Sequence, residues 1–244
     1  MRAIIFAAGL GTRLRPITES IPKALVPIKG YPLLEIAILR LKAAGCQDII
    51  VNIHHFGEQI IDFLQAKDHF GINIQISDER DLLLDTGGGL KKAEWFLKEE
   101  PFLVTNADAL TNLDLRQFYQ THLQNDALAT LAVRQRESSR YFLFNPTGQL
   151  CGWSNVKTGE TRLSRNEPDL KPWCFSGIHA ISPQIFDFFP AEASVFSIID
   201  TYLSAATSER IVAYPHDEDI WMDVGKIPQL EKAEGVLEAV LPKE

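Results

Sequence analysis

The sequence predicts an α/β fold with a mixed, mainly parallel sheet and helices on both of its faces. Three observations predict it. From Met1 to Asp108, apolar runs of strand length alternate with segments of helical period, the pattern of successive β–α–β units. Beyond Asp126 the strand-like runs follow one another more closely, which favours antiparallel strands extending the same sheet. Apolar residues make up 45% and charged residues 23% of the 244, enough for a sizeable core without a large disordered share.

Each element has its own reason. The run from Ala3 to Ala8 is long enough for one buried strand and breaks at Gly9-Leu10-Gly11-Thr12. Pro32 to Ala44 places apolar residues at 33, 34, 37, 38 and 41, one face of a helix, and Gly45 ends it. Asp48 to Ile53 reads as a strand, Gly57 to Gln65 as a short helix, and the alternating Ile72 to Ser77 as a third strand. Asp85-Thr86-Gly87-Gly88-Gly89 leads into a helix expected from Leu90 to Lys98, and Phe102 to Thr105 is a fourth apolar strand, ending at Asn106-Ala107-Asp108. Leu128 to Arg134, Tyr141 to Phe144, Gly177 to Ile181 and Glu209 to Tyr214 read as further strands, with a turn at Asn145 to Gly148. A helix near Phe196 to Ala206 and a last one from Ile227 to Val240 complete the pattern. No change of composition demands a linker and no internal repeat occurs. One domain is therefore expected over 1–244, with lobes at 1–110 and 111–226 and a C-terminal helix at 227–244.

The net charge of −8 argues against a nucleic-acid partner, and a polyanionic ligand would need a local basic pocket or a bridging cation. Cys46, Cys151 and Cys174 are odd in number, far apart and without a C-x-x-C spacing. They read as reduced thiols in a cytoplasmic protein rather than as a zinc site. The apolar start is too short for a secretory signal, with Arg13 and Arg15 following at once, and no run nears the roughly 20 apolar residues of a membrane helix. No hexapeptide repeat occurs, so an attached acyltransferase domain is not expected.

Four segments carry chemistry. Gly9 and Gly11 can turn the backbone sharply and present bare N–H groups, and Arg13, Arg15 and Lys23 gather positive charge beside them. The spacing lacks the third glycine of a dinucleotide fingerprint and the Gly-Lys-Ser/Thr of a P-loop. Two readings stand: a phosphate cradle in which Arg13 and Lys23 meet phosphate oxygens, or an ordinary turn flanked by solvated charge. The glycines at 87–89 suit either a nucleobase lying flat on backbone or a flexible loop. Asp108 follows a buried-looking strand at the sheet edge where open α/β folds bind ligands. It suits a Mg²⁺ ligand or a cap of the following turn. Asp223, in Trp221-Met222-Asp223-Val224-Gly225, reads on its own as the cap region of the last helix. His54 and His55 read as structural or surface residues, and no Ser-His-Asp or Cys-His set stands out.

The run Ala7-Ala8-Gly9-Leu10-Gly11-Thr12-Arg13-Leu14-Arg15-Pro16, with Thr18 and Pro22-Lys23-Ala24-Leu25, resembles the opening motif of the sugar-1-phosphate nucleotidyltransferases. The resemblance implies the Rossmann-like fold of the nucleotide-diphospho-sugar transferases, with 1–110 mainly binding nucleotide and 111–226 mainly binding sugar. It implies a nucleoside triphosphate on Ala8, Gly9, Gly11, Thr12, Arg13 and Lys23, with Arg13 holding the departing phosphates, and the base on Thr86 and Gly87. It places the sugar at Asn106 and at Gly177 of the Phe175-Ser176-Gly177-Ile178 strand, and Mg²⁺ on Asp108 and Asp223. Catalysis would then rest on Arg13, Lys23, Asp108 and Asp223. Two departures stand out. Ala107 replaces a usual glycine, and the Glu-Lys-Pro lysine that grips the sugar phosphate in many members is absent between 130 and 180. Lys157, Arg140 and Arg162 are the candidate substitutes. Compact members resembling N-acetylmuramate 1-phosphate uridylyltransferases also lack that tripeptide and share the Thr-Gly-Gly-Gly run. The likeness to them is weakest from Glu137 to Lys171, around an insert at 141–162.

The implied reaction joins a nucleoside triphosphate to a sugar 1-phosphate, giving an NDP-sugar and pyrophosphate. UTP with N-acetylmuramate 1-phosphate or a related hexose 1-phosphate comes first. A GTP-dependent mannose-1-phosphate or heptose-1-phosphate guanylyltransferase is the alternative, and a cytidylyltransferase acting on a phosphorylated alcohol comes third. A non-catalytic nucleotide- or sugar-sensing subunit is the reading from another class, and such a chain would be expected to lose Arg13, Lys23 or an aspartate. The expected partners are the small-molecule substrates alone, with no nucleic acid and no membrane, for a monomer or homodimer.

Overall fold

A computed structural model describes residues 1–242. In chain order the elements are β1 (Arg2–Phe6), β2 (Pro27–Ile28), β3 (Tyr31–Pro32), α1 (Leu33–Ala44), β4 (Asp48–Ile53), α2 (Gly57–Ala66) and β5 (Asn73–Asp78). There follow α3 (Asp85–Lys92), α4 (Glu94–Leu97), β6 (Phe102–Asn106), β7 (Ala109–Thr111), α5 (Leu115–Asn125), β8 (Ala129–Arg134), β9 (Arg140–Phe144), β10 (Leu150–Asn155) and β11 (Glu160–Leu163). The chain ends with β12 (Lys171–Ile181), α6 (Ile198–Ala205), β13 (Ile211–Pro215), β14 (Trp221–Asp223) and α7 (Ile227–Val240).

The chain divides into two compact units that interleave along the sequence. The first holds Met1–Leu83, Leu103–Arg116 and the segment from Asp219 onward; the second holds Leu84–Phe102 and Gln117–Glu218. The first unit carries the parallel part of the sheet, with strand order β6-β1-β4-β5. Arg2 to Phe6 pair with Asp48 to Asn52, and Asp48 to Ile53 pair with Asn73 to Asp78. The crossovers through α1 and α2 are what parallel neighbours require. Ala3, Ile4 and Ile5 are wholly buried, which explains a continuous apolar run instead of an alternating one.

A second apolar cluster of this unit joins segments far apart in sequence. Leu14, Val26, Leu110 and Val224 pack with Ile28, Leu33 and Ile36 and with Ala233, Leu237 and Val240 of α7. Arg40 of α1 secures the end of that helix, its Nη1 donating to the Val240 carbonyl at 2.8 Å. Burial lowers the Arg40 pKa to about 10, against the raising effect of Asp219 and Asp114.

In the second unit β8 pairs antiparallel with β12 and parallel with β13. β12 also pairs with β9, and β9, β10 and β11 form an antiparallel meander. That meander is the insert at 141–162. The mixed fold class expected from sequence therefore stands, parallel in the first unit and mostly antiparallel in the second.

Two helices differ from expectation. α5 was not predicted, although Leu115, Phe118, Tyr119 and His122 are buried at helical spacing; its polar composition masked the stripe. α3 begins at Asp85 and not at Leu90, with the glycines inside it. Phe196 supplies the reason: its carbonyl accepts from the N–H of Gly87 at 2.9 Å and of Gly88 at 3.2 Å.

Three histidines of the second unit are buried and neutral. His122 Nδ1 meets Thr130 Oγ1 at 2.9 Å, His179 Nδ1 meets the Tyr202 hydroxyl at 2.5 Å, and His216 Nε2 meets Ser176 Oγ at 2.7 Å. Burial lowers their pKa values to about 4, about 3 and about 4 respectively, Arg134 adding to the effect at His216 while Asp217 opposes it. Because these folded values lie below the unfolded value near 6.5, their stabilising contribution is complete above pH ~6.5 and is lost as pH falls through that window. Each histidine then weakens the fold by at most ~1.4 kcal/mol per pH unit. Thermal midpoints measured from pH 7.5 to 4.5 should fall steadily below pH 6.5; a flat profile would contradict the assignment.

Candidate active site

β1 delivers the chain to the glycine loop at the carboxyl edge of the parallel strands. The loop turns at Gly11, whose φ is +64° and whose carbonyl accepts from Leu14 N at 2.9 Å and Thr18 Oγ1 at 2.8 Å. A Cβ on Gly11 would stand 2.9 Å from Lys23 Cβ and 3.0 Å from Thr18 Cγ2, whereas one on Gly9 would meet open space. Of the two loop glycines, Gly11 is the one the backbone requires. Thr12 and Arg13 are exposed on the short 3-10 turn that follows, with Leu14 buried beside them. Ala8 keeps its N–H inside the protein, bonded to Asn52 Oδ1 at 3.2 Å.

Gly11→Ala combines an unfavourable backbone region with crowding of the Lys23 stem. It should cost about 1–3 kcal/mol of stability and weaken nucleoside triphosphate binding about tenfold, while Gly9→Ala leaves stability near the parent value. Denaturant unfolding and nucleotide titration of both variants test this.

Lys23 opens the third 3-10 turn of the chain, after Pro22, and its Nζ pairs with Asp108 Oδ2, both side chains largely buried. Asp108 lies between β6 and β7. The antiparallel pairing of β7 with β14 sets Trp221 opposite Thr111, Met222 opposite Leu110 and Asp223 opposite Ala109. Val224 N then donates to the Asp108 carbonyl at 2.9 Å, so two aspartates distant in sequence become neighbours along one ladder. Gly225 follows at once. A Cβ there would stand 2.8 Å from Arg13 Nη2 and 3.5 Å from Asp223 Oδ2, so both groups border the same small space. Gln229 of α7 reaches back, its Nε2 donating to Asp223 Oδ1 at 3.3 Å. Arg13, Lys23, Asp108 and Asp223 therefore converge within the first unit. Leu14 and Val224, adjacent to Arg13 and Asp223, enter one apolar cluster together with Leu110, two residues past Asp108, and Val26, three past Lys23 at the end of its turn.

The donor chemistry suits a hard divalent cation. Two carboxylates face a region with Arg13 and Lys23 nearby, and among the described residues no group of three or more His, Cys, Asp or Glu could cage a metal. Paired carboxylate oxygens are the donors a hard divalent cation prefers. Asn106 ends β6 in the same unit and is half-buried.

The remaining expected site residues lie in the second unit. Thr86 Oγ1 accepts from Ile198 N at 3.0 Å. Gly87 and Gly88 are shaped by the chain itself: a Cβ on Gly88 would fall 2.0 Å from the Ser194 carbonyl oxygen, and one on Gly87 2.4 Å from the Phe196 ring. Gly177, with φ +72°, occupies an irregularity of β12, where pairing with β8 shifts register between Phe175 and His179. Such bulges re-aim the strand locally. Of the candidates to replace the missing lysine, Arg162 is held by Asp200 at 2.7 Å on the surface, and Lys157 is exposed in the β10–β11 turn. Arg140 opens β9, exposed. His54 is structural, its Nδ1 donating to the Glu79 carbonyl at 2.6 Å. Asn52 and Glu79 were passed over in the sequence; the signal was a lone amide inside the apolar strand DIIVNI.

Comparison with known proteins adds an independent line. The family model described as "Nucleotidyl transferase" matches residues 2–239. The chain is 32% identical over 237 residues to the N-acetylmuramate alpha-1-phosphate uridylyltransferase of Neisseria meningitidis serogroup B, covering 97% of this chain and 98% of that one. It is 30% identical to a mannose-1-phosphate guanyltransferase of Yarrowia lipolytica, covering 93% of this chain but 61% of that protein. A crystal structure of HddC from Yersinia pseudotuberculosis superposes with a TM-score of 0.77 at 22% identity, over 97% of this chain and 99% of that one. That likeness establishes the fold.

Proposed function

We propose a function on one premise: this chain belongs to the nucleotidyl transferase family. It acts as a sugar-1-phosphate nucleotidyltransferase, and its first choice of substrates is UTP with N-acetylmuramate 1-phosphate or a related hexose 1-phosphate. The observation that carries the reading is the convergence of Arg13, Lys23, Asp108 and Asp223 through the β7–β14 ladder and its apolar underlay. The end-to-end match with the Neisseria uridylyltransferase supports the choice of substrates. The Yarrowia relative keeps GTP with a mannose-type sugar 1-phosphate as the second reading.

In this reaction an oxygen of the sugar 1-phosphate attacks the α-phosphorus in line, and the bond to the β-phosphate oxygen breaks to release pyrophosphate. The attacking oxygen is already ionised, so no strong base is needed and catalysis is positioning and charge neutralisation. The glycine loop seats the triphosphate over Gly9, Gly11 and Thr12. Arg13, exposed at the loop's end, meets the departing phosphates. Lys23 turns from Asp108 toward phosphate when the substrate arrives, and Asp108 and Asp223 are the residues that would hold Mg²⁺. Bound there, the cation would supply positive charge against that of the phosphates. Thr86 and Gly87 are assigned to the base, and Asn106 and Gly177 to the sugar. The two units are taken as one catalytic domain. Cys46, Cys151 and Cys174, buried and outside any disulfide, favour a reducing cytoplasm, and no described helix is long and apolar enough to cross a membrane.

The test is a matrix of four nucleoside triphosphates against N-acetylmuramate, glucose, mannose and heptose 1-phosphates with Mg²⁺, scored by pyrophosphate release. The highest kcat/KM is expected with UTP and N-acetylmuramate 1-phosphate. A preference for GTP with mannose 1-phosphate would select the second reading.

A further inference from the structure

The parallel ladder between β1 and β4 ends at the pair Phe6 and Asn52, and the chain then leaves the sheet as Ala7-Ala8-Gly9. Two backbone N–H groups would be left without a partner at that exit. The side chain of Asn52, 3% exposed, takes both: its Oδ1 accepts from Ala7 N at 2.7 Å and from Ala8 N at 3.2 Å. The other end of the amide is equally committed. Asn52 Nδ2 donates to Glu79 Oε1 at 2.8 Å, and Glu79 is 1% exposed.

An amide with two donors facing its oxygen and a carboxylate facing its nitrogen has one orientation. Glu79 is itself fixed along its backbone. Its N–H donates to the Ile53 carbonyl at 2.8 Å, and its carbonyl accepts from His54 Nδ1 at 2.6 Å. The relay thus runs from the end of β5 through β4 to the first residues of the glycine loop, all within the first unit.

We propose that Asn52 is a positioning residue for the nucleotide loop, oriented by the buried carboxylate of Glu79. The pair sets the direction in which residues 8–12 leave β1, and so where the loop presents its N–H groups to the triphosphate. The sheet does not need it, because the β1–β4 ladder is complete at Phe6. The loop does. This rests on the nucleotidyltransferase reading for its kinetic consequence, but its geometric consequence can be measured without any nucleotide.

A charge swap tests it. Asn52→Asp keeps an acceptor toward Ala7 and Ala8 but sets a second carboxylate against Glu79. Glu79→Gln in the same chain restores a donor between the two positions, with the roles reversed. In Asn52→Asp, hydrogen exchange at residues 7–12 should rise at least tenfold and return toward the parent rate in Asn52→Asp/Glu79→Gln. With UTP or GTP, whichever the parent uses faster, Asn52→Asp should raise the nucleotide KM and lower kcat/KM at least tenfold. KM for the sugar 1-phosphate should stay within twofold, and the double variant should recover most of the loss.

If Asn52→Asp is too unstable to assay, the double variant and Asn52→Ser are compared by the same exchange measurement. Parent-level exchange at 7–12 in Asn52→Asp or Asn52→Ser overturns the proposal, as does a folded double variant that fails to recover. Absence of turnover in the parent chain would instead count against the functional reading, while the exchange result would still decide the relay.

Discussion

Asp108→Asn and Asp223→Asn should each lower kcat by about 10³-fold; Asp223→Asn should leave the thermal midpoint nearly unchanged, whereas Asp108→Asn should also lower it by taking the carboxylate partner from Lys23. The two carboxylates are placed by backbone pairing, Asp223 opposite Ala109 and Val224 bonded to the Asp108 carbonyl, so an isosteric amide leaves the ladder and its apolar underlay in place. What it removes is anionic charge beside the phosphate site. Loss of a group that stabilises transition-state charge costs a few kcal/mol, each 1.36 kcal/mol being tenfold in rate. The variants should also require more Mg²⁺ for half-maximal rate. Pyrophosphate release over a Mg²⁺ titration, with circular dichroism on the same samples, checks both. Near-parent rates in either variant would remove that residue from the metal assignment.

Arg13→Ala should lower kcat by about 10²–10³-fold, the scale of losing one preorganised donor, while the nucleotide KM changes by only a few-fold. Arg13 is exposed at the end of the loop, and its Nη2 borders the space above Gly225 shared with Asp223 Oδ2. A guanidinium placed there contributes most when pyrophosphate charge develops, so its removal falls on kcat. Arg15→Ala is the control: Arg15 is equally basic and exposed two residues on. Equal losses in both variants would mean that the loop needs positive charge in general and no particular arginine.

The comparison of sequence with structure is uneven for physical reasons. The parallel unit was legible because β1, β4 and β6 are buried on both sides and read as continuous apolar runs, as at Ala3, Ile4 and Ile5, while the edge strand β5 alternates. α5 escaped because Arg116, Gln117, Gln120 and Gln124 dilute an apolar stripe that only burial reveals. The glycines at 87–89 suit either a nucleobase or a flexible loop from sequence, yet Gly87 and Gly88 are closely approached by Phe196 and Ser194, partners no local pattern could name.

The sequence by itself determined the alternation of the long strands and helices through Asp108, the turn within Gly9 to Thr12, and Arg13, Lys23 and Asp108 as candidates for phosphate and metal; Asp223 joined them only through the family resemblance. Those are properties of short windows, where periodicity, glycine and charge act locally. Only the tertiary structure decided that Asp223 stands beside Asp108, that Lys23 pairs with Asp108, and that Asn52 faces Ala7 and Ala8 with Glu79 behind it. Each of those pairings joins segments far apart in the chain. Cross-strand register and a shared apolar cluster fix them, and neither is encoded in any single window.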